Sequence, residues 1–155
     1  MNSTDLTEFL AQHFSEAVTD VSAPRERRVF GTVTAEKLVD VVAALREWGM
    51  AEIGTITGLD SGSHFELIYH MYNNEGLLLN LKVFIPREEP RIPTVSHIYP
   101  GVFLYERELM DMFGIVVDGT PPGRRYPLPD DWPEGNYPLR KDWKGFPEEG
   151  VKQDG

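Results

Sequence analysis

Seven of the chain's twelve prolines (121, 122, 127, 129, 133, 138 and 147) fall in residues 115–155 beside six glycines, so 13 of the last 41 positions are Pro or Gly. Proline lacks the amide that a helix interior or a central strand requires, and that density excludes regular structure from most of the segment. The chain therefore divides into a compact module, residues 1–114, and a long irregular tail, residues 115–155. At 155 residues, 41% hydrophobic and 26% charged, the whole has the composition of one globular domain with a core of ordinary size.

Other classes fall away on composition. With no cysteine, the chain offers no disulfide framework, thiolate metal site, cysteine nucleophile or cysteine-ligated cluster. A net charge of −10 disfavours nucleic acid and anionic membranes, which need a basic face. The longest near-apolar run, Gly76 to Pro86, is about half the roughly 20 residues of a membrane-spanning helix. The opening MNSTDLTEFL lacks a basic cluster ahead of an apolar stretch. These features predict a soluble intracellular protein with no membrane span of its own.

Periodicity gives the elements of the module. Leu6, Phe9, Leu10 and Phe14 follow Ser3, Thr4 and Asp5 at helical spacing. A short strand is expected over 28–33. Leu38, Val41, Val42, Leu45 and Trp48 form an amphipathic stripe opened by Thr34 and closed by Gly49. After a strand near 51–57, apolar residues occupy odd positions on both sides of Asn73-Asn74-Glu75-Gly76: Phe65, Leu67, Tyr69 and Met71, then Leu77, Leu79, Leu81, Val83 and Ile85. A three-residue loop with Gly76 left-handed pairs 71 with 79 and 67 with 83, which puts both odd sets on one face. A last helix spans 103–113, stopped by Gly114, with Tyr105, Leu109, Met112 and Phe113 as its apolar side and Arg107 able to pair with Asp111. The fold class is α+β: helices packed on a mixed, mostly antiparallel four-stranded sheet, followed by the irregular tail.

A catalytic or metal site is hard to assemble from these elements. His64 and His70 share a strand face, but six residues at about 3.3 Å each separate them by about 20 Å; His13 and His97 lie elsewhere. Glu106 and Glu108 diverge by about 200° around a helix, so they cannot face one substrate. One of them is better read as an anchor for Arg124 or Arg125. No phosphate-cradling glycine motif or nucleophile elbow is present. The tail instead carries Tyr126, Trp132, Tyr137, Trp143 and Phe146 with Leu128 and Leu139. So many aromatics on an irregular segment suit an arm that packs along another protein; the alternative is a tail wrapped back over its own module.

The blocks Tyr105-Glu106-Arg107-Glu108-Leu109-Met110-Asp111-Met112-Phe113-Gly114-Ile115, Arg124-Arg125, Leu128-Pro129-Asp130-Asp131-Trp132 and Pro138-Leu139-Arg140-Lys141-Asp142 resemble the signature of the thirty-kilodalton subunit family of respiratory complex I, the NADH-quinone oxidoreductase. The resemblance covers about residues 30–144, the hairpin included. That family also holds the equivalent subunits of energy-converting, membrane-bound nickel–iron hydrogenases and of ferredoxin- or F420-linked complexes. Thr120 stands where the family usually has histidine, and the longer segment 132–138 looks more like the hydrogenase branch.

The resemblance implies a non-catalytic scaffold of a complex's hydrophilic arm, peripheral on the cytoplasmic face of the cell membrane. It implies as partners a large subunit related to hydrogenase large subunits and an iron–sulfur small subunit. No cofactor is expected in this chain; iron–sulfur clusters, with nickel–iron or quinone chemistry, belong to the partners. Glu106, Arg107, Glu108, Asp111, Arg124, Arg125, Asp130, Asp131, Trp132, Arg140, Lys141 and Asp142 form the expected docking and tail-positioning set, with Arg124, Arg125 and Arg140 in bidentate pairs with carboxylates. The rival readings are a stand-alone acid–base enzyme using Glu106 or Asp130-Asp131, and a monomeric adaptor whose tail folds back.

Overall fold

The computed structural model describes residues 1–146; residues 147–155 of the expected tail lie outside the described residues. The odd-numbered apolar pattern builds the centre of the fold. Strands β4 (His64–Asn73) and β5 (Leu78–Pro86) pair antiparallel with Met71 opposite Leu79 and Leu67 opposite Val83, as the alternation predicts. Gly76 takes φ 82° in the turn, and the Asn73 carboxamide accepts from the Glu75 and Leu77 amides across it. Phe65, Leu67, Tyr69, Met71, Leu79, Leu81 and Val83 are fully buried on one face.

Two further antiparallel pairings and one parallel pairing complete a sheet in the order β1-β2-β5-β4-β3. Strand β3 (Met50–Asp60) pairs with β4. Strand β2 (Arg28–Val33) runs parallel to β5, because the chain crosses over through α2 (Leu38–Trp48) before returning. The sheet is mixed and mostly antiparallel as expected, but it has five strands rather than four. The extra one, β1 (Val18–Arg25), pairs antiparallel with β2 across two irregularities. Only Val18 of its eight residues is buried, so β1 carries no alternation by which a sequence reading could find it.

Helix α1 (Ser3–Phe14) is capped by Asn2, one residue before the polar run Ser3, Thr4 and Asp5. Asn2 accepts from the Asp5 amide while the Asp5 carboxylate accepts from the Asn2 amide, a reciprocal capping box. Leu6 and Leu10 of α1, and Leu38, Val41, Val42 and Leu45 of α2, close the apolar side of the sheet. Gly49 ends α2 at φ 125°.

Helix α3 (Phe103–Phe113) has the predicted bounds, with Gly114 left-handed at φ 70° as its cap. Its inward side is more polar than the spacing suggests: Glu106, Arg107, Leu109, Asp111 and Phe113 are buried, whereas Tyr105 and Met112 are only partly so. The core continues past Gly114 through Ile115 and Val117. There β7 (Val116–Asp118) pairs parallel with β6 (Arg91–Pro93). From 119 to 146 no helix or strand forms. Among the described residues no helix is long and apolar enough to cross a membrane.

Close approach of α3 to the sheet depends on Gly58 in β3. A methyl there would sit 2.5 Å from Phe113 Cε2 and 3.0 Å from Leu109 Cδ2, inside van der Waals contact. Gly58→Ala is therefore expected to lower unfolding stability by about 1–3 kcal/mol, the usual cost of overpacking, in urea titrations followed by tryptophan fluorescence.

Candidate functional site

Helix α3 presents charge to two sides, and Glu106, Arg107 and Asp111 each find a partner in the backbone. Glu106 is wholly inaccessible. Its carboxylate accepts the Thr94 hydroxyl at 2.6 Å and the Val95 amide at 2.8 Å, which fastens the loop after β6 to the helix. Thr94 Oγ1 in turn accepts from the Ser96 amide, 3.1 Å away. Neither Glu106 nor the half-buried Glu108 pairs with an arginine among the described residues, so the anchor role expected of one of them is not met. Burial pushes the Glu106 pKa up, against the lowering effect of the Thr94 and Val95 hydrogen bonds.

On the opposite side α3 carries the chain that follows β7, here termed the strap. The expected Arg107–Asp111 pair does not form. Arg107 stacks its guanidinium 4.9 Å from the Phe103 ring centre and donates through Nη2 to the Pro121 carbonyl. Asp111 accepts the Leu128 amide at 3.2 Å and has Arg125 Nε at 3.6 Å. Farther on, the Leu139 amide donates to the Met112 carbonyl at 3.1 Å, and Arg140 Nε donates to the Phe113 carbonyl at 2.6 Å. The Tyr137 ring lies over Gly114, where a Cβ would approach to 2.5 Å. The described part of the tail thus lies back along its own module.

Between these attachments the strap organises itself. Asn136 accepts both indole N–H groups, Trp132 on its carbonyl at 2.9 Å and Trp143 on its side-chain oxygen at 3.2 Å. Phe146 stands 5.0 Å from Trp132 and 5.7 Å from Trp143, both edge-on, a favoured aromatic arrangement. Arg125 Nη1 donates to the Trp132 carbonyl at 2.6 Å.

Among the described residues, the bidentate arginine–carboxylate pairs predicted for Arg124, Arg125 and Arg140 are not formed. Arg125 makes one long contact with Asp111, Arg140 uses a carbonyl and two aromatic faces, and Arg124 is exposed. Of the expected docking set, Glu106, Arg107 and Asp111 are buried; Arg125, Trp132 and Arg140 are partly covered; Arg124, Asp130, Asp131, Lys141 and Asp142 face solvent. The contributions of Thr94, Asn136 and the α3 carbonyls are not legible in the sequence, since no charge marks them. His70 sits between Thr57 Oγ1 at 2.8 Å and Asn80 Oδ1 at 2.7 Å, held through both ring nitrogens. Among the described residues no three His, Asp or Glu side chains gather as a metal would require.

Known proteins resemble this chain in sequence and in fold. Residues 31–149 match the family described as the respiratory-chain NADH dehydrogenase 30 kDa subunit. The chain belongs to this family. Its relatives in the complex I 30 kDa family include a membrane-bound hydrogenase subunit beta from Pyrococcus furiosus, 42% identical over 71% of this chain and 58% of that protein. An NADH-quinone oxidoreductase subunit from Nocardioides is 31% identical over 90% of this chain and 60% of that one. The chain thus spans about 60% of the length of these two relatives. An F420H2 dehydrogenase subunit from Methanosarcina mazei is 30% identical over 95% of both chains.

Among solved structures, a chain of an archaeal membrane-bound sulfane sulfur reductase superposes with a TM-score of 0.82 at 29% identity, over 91% of this chain and 85% of that chain. A fragment of Nqo5 superposes at 0.64 and 22% identity, over 78% of this chain and 99% of the fragment, a likeness of fold.

The Glu106 clasp makes a test that separates a structural acid from a catalytic one. In Glu106→Gln the amide oxygen accepts from Val95 and the amino group donates to Thr94 Oγ1, whose proton turns to Ser96 Oγ at 2.8 Å. Stability within about 1 kcal/mol of the parent is expected, whereas Glu106→Ala, which orphans buried donors, loses about 2–4 kcal/mol. Because its folded pKa lies above the ordinary 4.5, Glu106 binds its proton more tightly in the folded chain. Its stabilising contribution is complete below that ordinary value and is lost as pH rises through the folded one. Urea titrations between pH 4 and 8 should show that component of the slope vanish in Glu106→Gln.

Proposed function

We propose that this chain is a structural, non-catalytic subunit of the hydrophilic arm of a complex I-related, ion-pumping membrane redox complex. It docks through α3 and the strap onto a large subunit related to hydrogenase large subunits and onto an iron–sulfur small subunit. The carrying observation is the surface of those two elements in a chain of this family. Leu104 of α3 is 48% exposed, and Tyr126, Leu139 and Phe146 of the strap are 43%, 51% and 46% exposed. A contiguous exposed apolar patch marks a protein contact surface, aromatic anchors carry most of the energy of such contacts, and three of these four exposed groups belong to the strap.

The division of labour within the docking set follows from burial. Glu106, Arg107 and Asp111 work from inside, holding the loop after β6 and the strap in position. Arg124, Asp130 and Asp131 sit on the solvent side, where they can meet a partner and set register. A chain without cysteine supplies no thiolate to a cluster, so electron transfer belongs to neighbouring subunits, with iron–sulfur clusters and nickel–iron or quinone chemistry held there. The subunit is peripheral, carried on the cytoplasmic face of the membrane by its partners.

Within the family, the hydrogenase and sulfur-reductase branch is favoured. Identity reaches 42% with the hydrogenase subunit, and the sulfane sulfur reductase chain superposes over nearly the whole length.

The test is assembly. Deleting the strap outright would uncover α3, so substitutions on its outward side are cleaner. Leu139→Asp and Tyr126→Ala should leave the isolated chain folded and lower its recovery in the purified membrane complex by at least about tenfold, as expected when anchors worth about 1.4 kcal/mol or more are lost. Full recovery of an active complex with both substitutions combined would remove this reading.

A further inference from the structure

The strap is attached to the body at two places. The first is α3, through Arg107 at Pro121 and Asp111 at Leu128. The second lies at the far end of the sheet and centres on one carboxylate that α3 does not carry. Asp60 ends β3, and its side chain is 1% exposed. Its Oδ1 accepts Arg87 Nη1 at 2.5 Å and the Gly62 amide at 2.8 Å, and its Oδ2 accepts the Lys141 amide at 2.9 Å. Arg87 follows β5, so three separate stretches of chain meet at this group.

The guanidinium that neutralises Asp60 also reaches the strap directly, with Arg87 Nη2 2.9 Å from Asp142 Oδ1. Beneath them Phe65, which pairs with Asp60 in the β3–β4 ladder, has Arg87 5.1 Å and Arg140 5.2 Å from its ring centre, and its edge contacts Phe113 at 5.8 Å. Phe65 is fully buried, and Arg140 of the strap supplies part of that cover. Between Pro129 and Asn136, by contrast, the side-chain hydrogen bonds of the strap stay within it, at Trp132, Asn136 and Arg125. Of the aromatic cluster, Trp132 lies between the α3 attachment and the Asp60 attachment, and Trp143 and Phe146 follow the latter directly.

We propose that Asp60 is a latch that holds Arg140, Lys141 and Asp142 on the body before any partner binds, so that strap and body present one pre-organised surface. The signature residues 140–142 then act as an internal fastening, and the surface offered outward is that of Tyr126, Leu139 and Phe146. Pre-ordering lowers the entropy cost of a later association. The latch does not open with mild acid. The Arg87 hydrogen bond, opposed by burial and aided by the Lys141 and Gly62 amides, holds the Asp60 carboxyl well below the usual carboxylate range. Its contribution is therefore present above the ordinary value of 3.8 and is lost only as pH falls through the depressed one.

The latch goes beyond the assembly reading and is tested without it, by hydrogen exchange on the full isolated chain. The Leu139 and Lys141 amides should be protected in the parent. In Asp60→Asn they should exchange at least about tenfold faster, the scale of a lost charge-assisted bond, while Leu67 and Leu81 amides in β4 and β5 keep their protection. Arg140→Ala attacks the same fastening from the strap and decides the matter if Asp60→Asn disturbs the body. Unprotected Leu139 and Lys141 amides in the parent, unchanged protection in Asp60→Asn with the body intact, or, where Asp60→Asn disturbs the body, unchanged protection in Arg140→Ala, would overturn the latch. A variant with a freed strap that still assembles into the membrane complex would count against strap docking and would leave the latch standing.

Discussion

The bare backbone at Gly58 lets α3 press Leu109 and Phe113 onto the sheet, and nearly every other feature is built around that seat. With the helix held so close, Glu106 is carried into the interior and must find buried donors, which the loop at Thr94 and Val95 provides. The same seat aims the last carbonyls of α3 outward. Those of Met112 and Phe113 are among the four that a helix leaves without intrahelical partners, and the strap satisfies both with the Leu139 amide and the Arg140 guanidinium. Gly114 serves twice, as the left-handed cap and as the bare spot on which Tyr137 lies. Helix, loop and strap are therefore one polar joint resting on an apolar contact.

How far the sequence can be read follows from which groups carry a visible signal. The β4–β5 register is legible because a slip by one residue would place Lys82 in the core, and the bounds of α3 are legible from Gly114. The strand β1 is not, since seven exposed residues have no period to detect. The strap is hard to read for a related reason. Charges are visible in a sequence and carbonyls are not, so the pattern matches arginines to carboxylates, while the structure gives the guanidiniums of Arg107, Arg125 and Arg140 to Pro121, Trp132 and Phe113 carbonyl oxygens. An irregular segment leaves many main-chain groups free, and arginine, with five donors and no acceptor, is well suited to collect them.

The same geometry weighs against the acid–base enzyme. A catalytic carboxylate must reach a substrate, and Glu106 reaches none: it is fully enclosed, with its oxygens committed to Thr94 and Val95. Asp130 and Asp131 lie at the surface of the strap, where water screens them and nothing sets their environments apart, as paired acid–base work demands. The adaptor reading survives in one respect, that the tail does fold back. Folding back and docking are compatible, because the inward side of the strap is spent on α3 while Tyr126, Leu139 and Phe146 remain outward.

Charge distribution supports that two-sided picture. Residues 1–114 hold 9 basic and 17 acidic side chains, a net −8, and residues 115–155 hold 6 and 8, a net −2. A near-neutral tail would add little long-range repulsion to the docking proposed for it, whereas the acidic body repels other acidic surfaces. Ion pairs with an exposed partner contribute little to stability, so Arg87 with the exposed Asp142 is better understood as fixing register, and Arg125 stands 3.6 Å from the buried Asp111. Stability of the joint comes from buried donors meeting buried acceptors and from aromatic faces covered by guanidiniums. Those interactions are short-ranged and directional, which is what holding an irregular segment in one shape requires.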